Sequence, residues 1–202
     1  MPAPPPAPSE RQWIMPMRLP TQRPTSAIEE LFPSRELSDG SSQLRATFSW
    51  DHLLPAGVAE RSVAALQALV NCNYRLYWRR GALCRLSSAA LLRDCNLLLE
   101  LSELSNGGVR LSVDARGARR ECWQVLCALC PRLSSLLGEA FPGLQIHSVL
   151  SCPGCFARGE WASPTVWALI PLLQQANLSR PARPFCSACG GDVSLEHLAA
   201  AE

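Results

Sequence analysis

The chain contains no lysine; all 19 of its basic residues are arginine. A Walker-type phosphate loop, the strand lysine of a protein kinase and a Schiff-base amine are therefore all excluded from this polypeptide. Histidine is scarce too, with three residues on unrelated stretches. Neither GxSxG nor HExxH occurs, and no HxE accompanies a Pro-Cys-x-x-Cys, so catalysis by this chain alone is not expected. Excess charge of either sign is also missing. The net charge is +2, and the arginines are scattered, which removes the general case for nucleic acid or an anionic membrane. No run reaches the roughly 20 apolar residues that span a bilayer. The best, Val166 to Leu173, is short and contains Pro171. The start, Met1-Pro2-Ala3-Pro4-Pro5-Pro6-Ala7-Pro8, lacks the basic and apolar blocks of a secretory signal. A cytoplasmic protein is expected, with its ten cysteines reduced or bound to metal rather than forming a secreted disulfide framework.

What is present suffices for a core. Hydrophobic residues make up 48% of 202, enough for one ordinary domain and a tail. Residues 1–12 read as a disordered proline-rich tail. Residues 13–43 read as an irregular segment laid over a core, because prolines interrupt Trp13 to Pro33 and Ser34 to Gln43 is polar. The body is 44–202. Leu44 to Trp50 alternates as a half-buried strand. After Pro55 and Gly57, a helix is expected to about Val70, with Ala59, Val63, Leu66 and Val70 on one face. Tyr74 to Trp78 and Ala82 to Ser87 read as strands about an Arg79-Arg80-Gly81 turn. Asn96 to Leu104 and Val109 to Ala115 form a hairpin around Asn106-Gly107. A helix from Arg119 to about Leu137 carries a stripe of Cys122, Leu126, Leu129, Leu133 and Leu136, and Pro131 should kink or split it. Leu144 to Leu150 is a further strand. Ser163-Pro164 opens a helix to about Leu178. This order implies an α+β fold, an antiparallel sheet packed by helices.

Two CxxC units, Cys152-Pro153-Gly154-Cys155 and Cys186-Ser187-Ala188-Cys189, lie at the ends of that last helical stretch. Each can place two thiolates on one tetrahedral zinc, so Cys152, Cys155, Cys186 and Cys189 are the candidate ligands of a structural zinc clipping an insert over 151–191. Four cysteines close the shell and leave no position for a catalytic water. Buried thiols at turns, or redox chemistry, would give the same spacing. Cys127 and Cys130 sit three apart on a helix and read as core, as do the isolated Cys72, Cys84 and Cys95. His147 could replace a missing ligand, although a surface histidine is the plainer reading; His52 and His197 carry no pattern. Arg116, Arg119 and Arg120 cluster with Gly117 at a strand-to-helix turn, which suits either an anion or plain solvation. Trp78 beside Arg79-Arg80 reads as a core tryptophan at a strand end.

The blocks Trp13 to Pro20, Phe48 with Leu54 to Arg61, Tyr77 to Gly81, Val113 to Gly117, Phe141 to Leu144, Ser151 to Cys155 and Asp192 to Leu198 occur in an order that resembles the C-terminal half of a COR domain. This is the module that follows the Roc GTPase domain in Roco proteins. The likeness covers about Trp13 to Leu198 and rests on order and spacing, no single block being specific. It is nearest to animal Roco proteins without a kinase, of the malignant fibrous histiocytoma amplified sequence type. The resemblance implies a non-catalytic regulatory and dimerisation module that docks a Roc GTPase domain or a second copy. No nucleotide motif is present here, so GTP binding does not carry over. A different expectation from the cysteines is a zinc-stabilised adaptor that binds a peptide or another protein.

Overall fold

The computed structural model describes residues 18–33, 42–50, 57, 61–63, 72–86, 95–104, 108–141, 147–151 and 166–168. They form an α+β fold built on one antiparallel sheet. The strands are β1 (Ser42–Trp50), β2 (Cys72–Trp78), β3 (Gly81–Leu86), β4 (Cys95–Glu103), β5 (Val109–Gly117), β6 (His147–Ser151) and β7 (Val166–Ala168). Their order across the sheet is β2-β3-β4-β5-β1-β6-β7. Two helices accompany them, α1 (Thr25–Leu31) and α2 (Arg119–Ala140). Residues 61–63 are also helical, which places part of the helix expected before Val70; its remainder lies outside the described residues.

Alternation sorts the central strands onto two faces. The core face carries Leu44, Ala46, Phe48 and Trp50 from β1, Leu97 and Leu99 from β4, and Val109, Leu111, Val113 and Ala115 from β5. Helix α2 closes it with Cys122, Leu126, Leu129, Leu133 and Leu137. Leu136 was expected at the end of that stripe, but it is 39% exposed while Leu137 is 2% exposed. From Leu133 a step of three or of four stays near one face, and the buried row continues 129, 133, 137 by steps of four. Pro131 does not split α2, which runs unbroken from Arg119 to Ala140. The proline is exposed, so the carbonyl of Cys127, deprived of its helical donor, lies toward the solvent side where water can satisfy it.

The second face is covered by α1. Ile28, Leu31 and Phe32 pack on Trp78, Leu83 and Leu98, with Leu76 alongside. A helix was not expected inside 13–43. The prolines that argued against one, Pro20, Pro24 and Pro33, flank the seven residues of α1 rather than interrupting them, and Pro24 occupies its N-cap. So short a helix is unstable alone. Burial of Ile28 and Leu31, together with Phe32 just past its end, at about 1.5–3 kcal/mol each, holds it to the sheet.

The expected helix over 163–178 is corrected in part. Val166–Ala168 is strand β7, paired with Ser151 to Val149 of β6. Val166 and Trp167 favour a pleated surface over a helix, and the edge at β6 gives them one. The rest of the insert, and the tail 1–12, lie outside the described residues.

The Arg79-Arg80 turn joins Trp78 to Gly81, which face each other across the hairpin. Neither arginine has positive φ. Glycine is needed for space instead: a Cβ at position 81 would collide with the Trp78 indole and the Leu99 carbonyl. Gly81→Ala should therefore cost about 1–3 kcal/mol by forcing the indole or strand β4 to shift. Urea unfolding measures it, and an unchanged midpoint would show that the corner relaxes freely.

Candidate functional site

The four candidate zinc ligands, Cys152, Cys155, Cys186 and Cys189, lie outside the described residues, as do Cys72's side chain, His52 and His197. The strand β6 that leads to Cys152 is described, and His147 stands opposite Ser49 of β1 in its register. Among the described residues no group of three or more metal-ligating side chains comes together.

The polar cluster that the described residues do build lies on the second face, along β5 and its neighbours. Asp114 is 1% exposed in mid-strand. Arg45, opposite it in register, donates from Nε to Oδ1 at 2.7 Å and from Nη2 to Oδ2 at 3.1 Å. Gln43 donates from Nε2 to Oδ1 at 3.1 Å. A buried carboxylate tolerates such a place only when both oxygens are paired. Burial pushes the Asp114 carboxyl above the ordinary carboxylate range, with the Arg45 charge and the hydrogen bonds from Arg45 and Gln43 opposing. Two residues on, Arg116 donates from Nη1 to the Pro33 carbonyl at 2.7 Å, and burial lowers its guanidinium's pKa. Asn96, opposite Arg116, donates from Nδ2 to the Leu31 carbonyl at 3.2 Å. Asn96 thus satisfies the Leu31 carbonyl at the end of α1, which has no helical donor, and Arg116 holds the chain at Pro33 two residues further on. Near its N-terminal end, Arg23 pairs with Glu100 at 2.6 Å, a surface contact of small energy.

The arginine cluster, which suited either an anion or plain solvation, loses its first member: Arg116 is spent on the Pro33 carbonyl just past α1, on the opposite side of β5 from the core-facing Ala115. The whole Val113 to Gly117 block acquires a structural account. Val113 and Ala115 fill the core, Asp114 holds β1, Arg116 holds α1, and Gly117 precedes the turn into α2. The Tyr77 to Gly81 block is the Trp78 corner. Arg61 and Phe141, from two further blocks, meet with the guanidinium 5.4 Å from the ring centroid, joining the 61–63 turn to the end of α2.

None of the described cysteines is in a disulfide: Cys84, Cys95, Cys122 and Cys130 are buried and Cys127 is half-buried. Burial raises the Cys127 thiol to about 12. The Cys130 thiol is pushed higher still, chiefly by burial, with a contribution from Cys127. These directions fit the core role expected of both, since the thiolate is the reactive form. Sequence reasoning missed the Asp114, Arg116 and Asn96 set, because a charged residue at an alternating position looks solvated until something is known to cover that face.

No protein-family model matches the chain, and no curated protein is significantly similar to it.

Two expected outcomes follow from the cluster. Replacing Arg116 with Met should speed amide hydrogen exchange across 25–32 by about tenfold or more, the worth of one charge-assisted hydrogen bond at 1.5–3 kcal/mol. The amides of β4 and β5 should keep their protection; equal loss in both would make Arg116 a general core residue. The second concerns pH. A carboxyl whose folded pKa lies above its unfolded value of about 3.9 binds more protons when folded, so its contribution to stability is fullest below that value. It is lost as pH rises through the folded pKa. The stability difference between wild type and Asp114→Asn should accordingly shift against wild type from about pH 4 upward. Urea unfolding of both proteins at pH 4 to 7 measures it, and a difference that moves in wild type's favour would show that Arg45 outweighs desolvation.

Proposed function

We propose that this chain is a non-catalytic regulatory and dimerisation module resembling the COR domain of Roco proteins. It would dock a Roc-type GTPase domain or a second copy in intracellular signalling, in the cytoplasm, and bind neither nucleic acid nor nucleotide. The supporting observation is what the resembling blocks do. Gly81 makes room for Trp78, Arg61 stacks on Phe141, and Asp114 and Arg116 bind β1 and α1. Blocks that share the work of holding distant segments together suit a scaffold, in which order and spacing matter more than any single reactive group. No helix among the described residues is long and apolar enough to cross a membrane, consistent with an absence of helical spans there.

A second reading rests on the sequence of the C-terminal region. Two CxxC units suit a zinc-stabilised adaptor that binds a peptide or another protein, with Cys152, Cys155, Cys186 and Cys189 as ligands. The metal would contribute folding energy to the 151–191 insert and no chemistry.

Light scattering after size exclusion tests the first reading, alone and with a Roc domain added. A dimer or a Roc complex is expected; a monomer that ignores every Roc domain offered would count against it. Metal analysis separates the second. One zinc per chain, lost with the fold of the insert on chelation, is its expected outcome, and chelation that leaves folding and binding untouched removes it.

A further inference from the structure

We propose that Cys95 and Cys122 form a dithiol–disulfide site whose oxidised state clamps the N-terminal turn of α2 to strand β4. The proposal stands on where the fold puts the two residues and is independent of the COR-like reading.

Cys95 is the first residue of β4 and Cys122 lies in the first turn of α2. Both are 0% exposed on the core face. The register pairs Asn96 with Arg116 and Ser42 with Gly117. Carried one residue further, it sets Cys95 opposite Gly117. Cys95, Gly117 and Ser42 therefore form one row, and the residue in the middle has no side chain. Cys122 comes down from the helix onto this row, its thiol donating to the Ser42 carbonyl at 3.6 Å. The Cys95 thiol donates to the Asn96 carbonyl at 3.7 Å, and Cys95 and Cys122 influence each other's ionisation. No disulfide joins them, and both are free thiols.

The closed form does not react. The interaction with Cys95, burial and the nearby Glu121 carboxylate all disfavour the Cys122 thiolate, and the thiolate is the nucleophile. Glu121 itself is buried, with Oε2 lacking a hydrogen-bond partner, and a carboxyl group cannot supply the positive charge that activates sulfur. Reaction requires the first turn of α2 to open. Ala118 at the N-cap makes no side-chain capping bond, so that turn lacks one restraint commonly found on helix ends.

The oxidant is a low-molecular-weight disulfide of the glutathione type. In the opened state Cys122 loses its proton to water, and its thiolate attacks one sulfur of the oxidant. The oxidant's S–S bond breaks, a mixed disulfide forms, and the first thiolate leaves and takes up a proton. Cys95, deprotonated in turn, attacks the Cys122 sulfur and expels the second thiolate, which is also protonated. The two cysteines have lost two electrons and two protons, and the oxidant has gained them as two thiols.

The experiment uses the full chain under native conditions with oxidised glutathione, followed by unfolding, alkylation and peptide mapping without reductant. A peptide pair joined through Cys95 and Cys122 is expected. The melting temperature should rise by roughly 6–12 °C and return to the starting value with dithiothreitol. Cys95→Ala, if folded, should lose the rise. Alkyl label on both Cys95 and Cys122 would overturn the proposal, as would bridging of either to another cysteine. A linked pair with an unchanged or lowered melting temperature would also overturn it, because the bond would then strain the helix rather than clamp it.

Discussion

A carboxylate shut away from water in the middle of a sheet constrains everything around it. Asp114 needs donors on both oxygens, and it finds them only because β1 lies beside β5 with Arg45 directly opposite and Gln43 within reach. A slip of one residue would turn Asp114 into the core and Val113 out of it. The ion pair is thus better understood as a register device than as a source of stability, since a well-packed apolar pair of the same volume could hold the sheet as firmly. The same strand then fixes α1. With Asp114 held, Arg116 emerges on the same face two residues later and takes the Pro33 carbonyl just past α1, while Asn96 beside it takes the Leu31 carbonyl at the helix end. One strand therefore sets the position of β1, the N-terminal helix and, through Gly117, the start of α2.

This arrangement explains why a helix of seven residues persists at all. Its propensity is modest and its N-cap makes no side-chain bond. What it has is a set of anchors at both ends and three apolar side chains sunk between Trp78, Leu83 and Leu98. Removing the anchors would leave the apolar contact, and removing the contact would leave exposed carbonyls already satisfied by water. Each alone is weak, and together they bind a segment 65 to 83 positions away in sequence to the central strands.

Much of the sheet was legible because it depends on period two. The strands over 44–50, 96–104 and 109–115 were found to within about two residues, since alternation and the hairpin spacing are local signals. The errors share a cause, namely tertiary context. The prolines near α1 look like breakers in the sequence and are boundaries in the fold. Leu136 and Leu137 flank the centre of the stripe on opposite sides of a helical wheel at about equal distance, and only the position of the sheet beneath α2 chooses between them. Ser163-Pro164 opens a persuasive helix, yet Val166–Ala168 pairs with β6, and an available edge outweighs a capping signal.

The chemistry was less legible than the fold for the same reason. A CxxC announces itself by spacing, whereas Asp114, Arg116 and Asn96 are ordinary residues until α1 covers them. Arg116 illustrates the difference. Beside Arg119 and Arg120 it looks like part of a cationic turn, but the pleat sends it to the opposite face from the helix start, and the Pro33 carbonyl takes the hydrogen bond an anion would have received. A basic residue close in sequence to a helix N-terminus is available to a ligand only if strand parity points it there, and the parity of β5 does not.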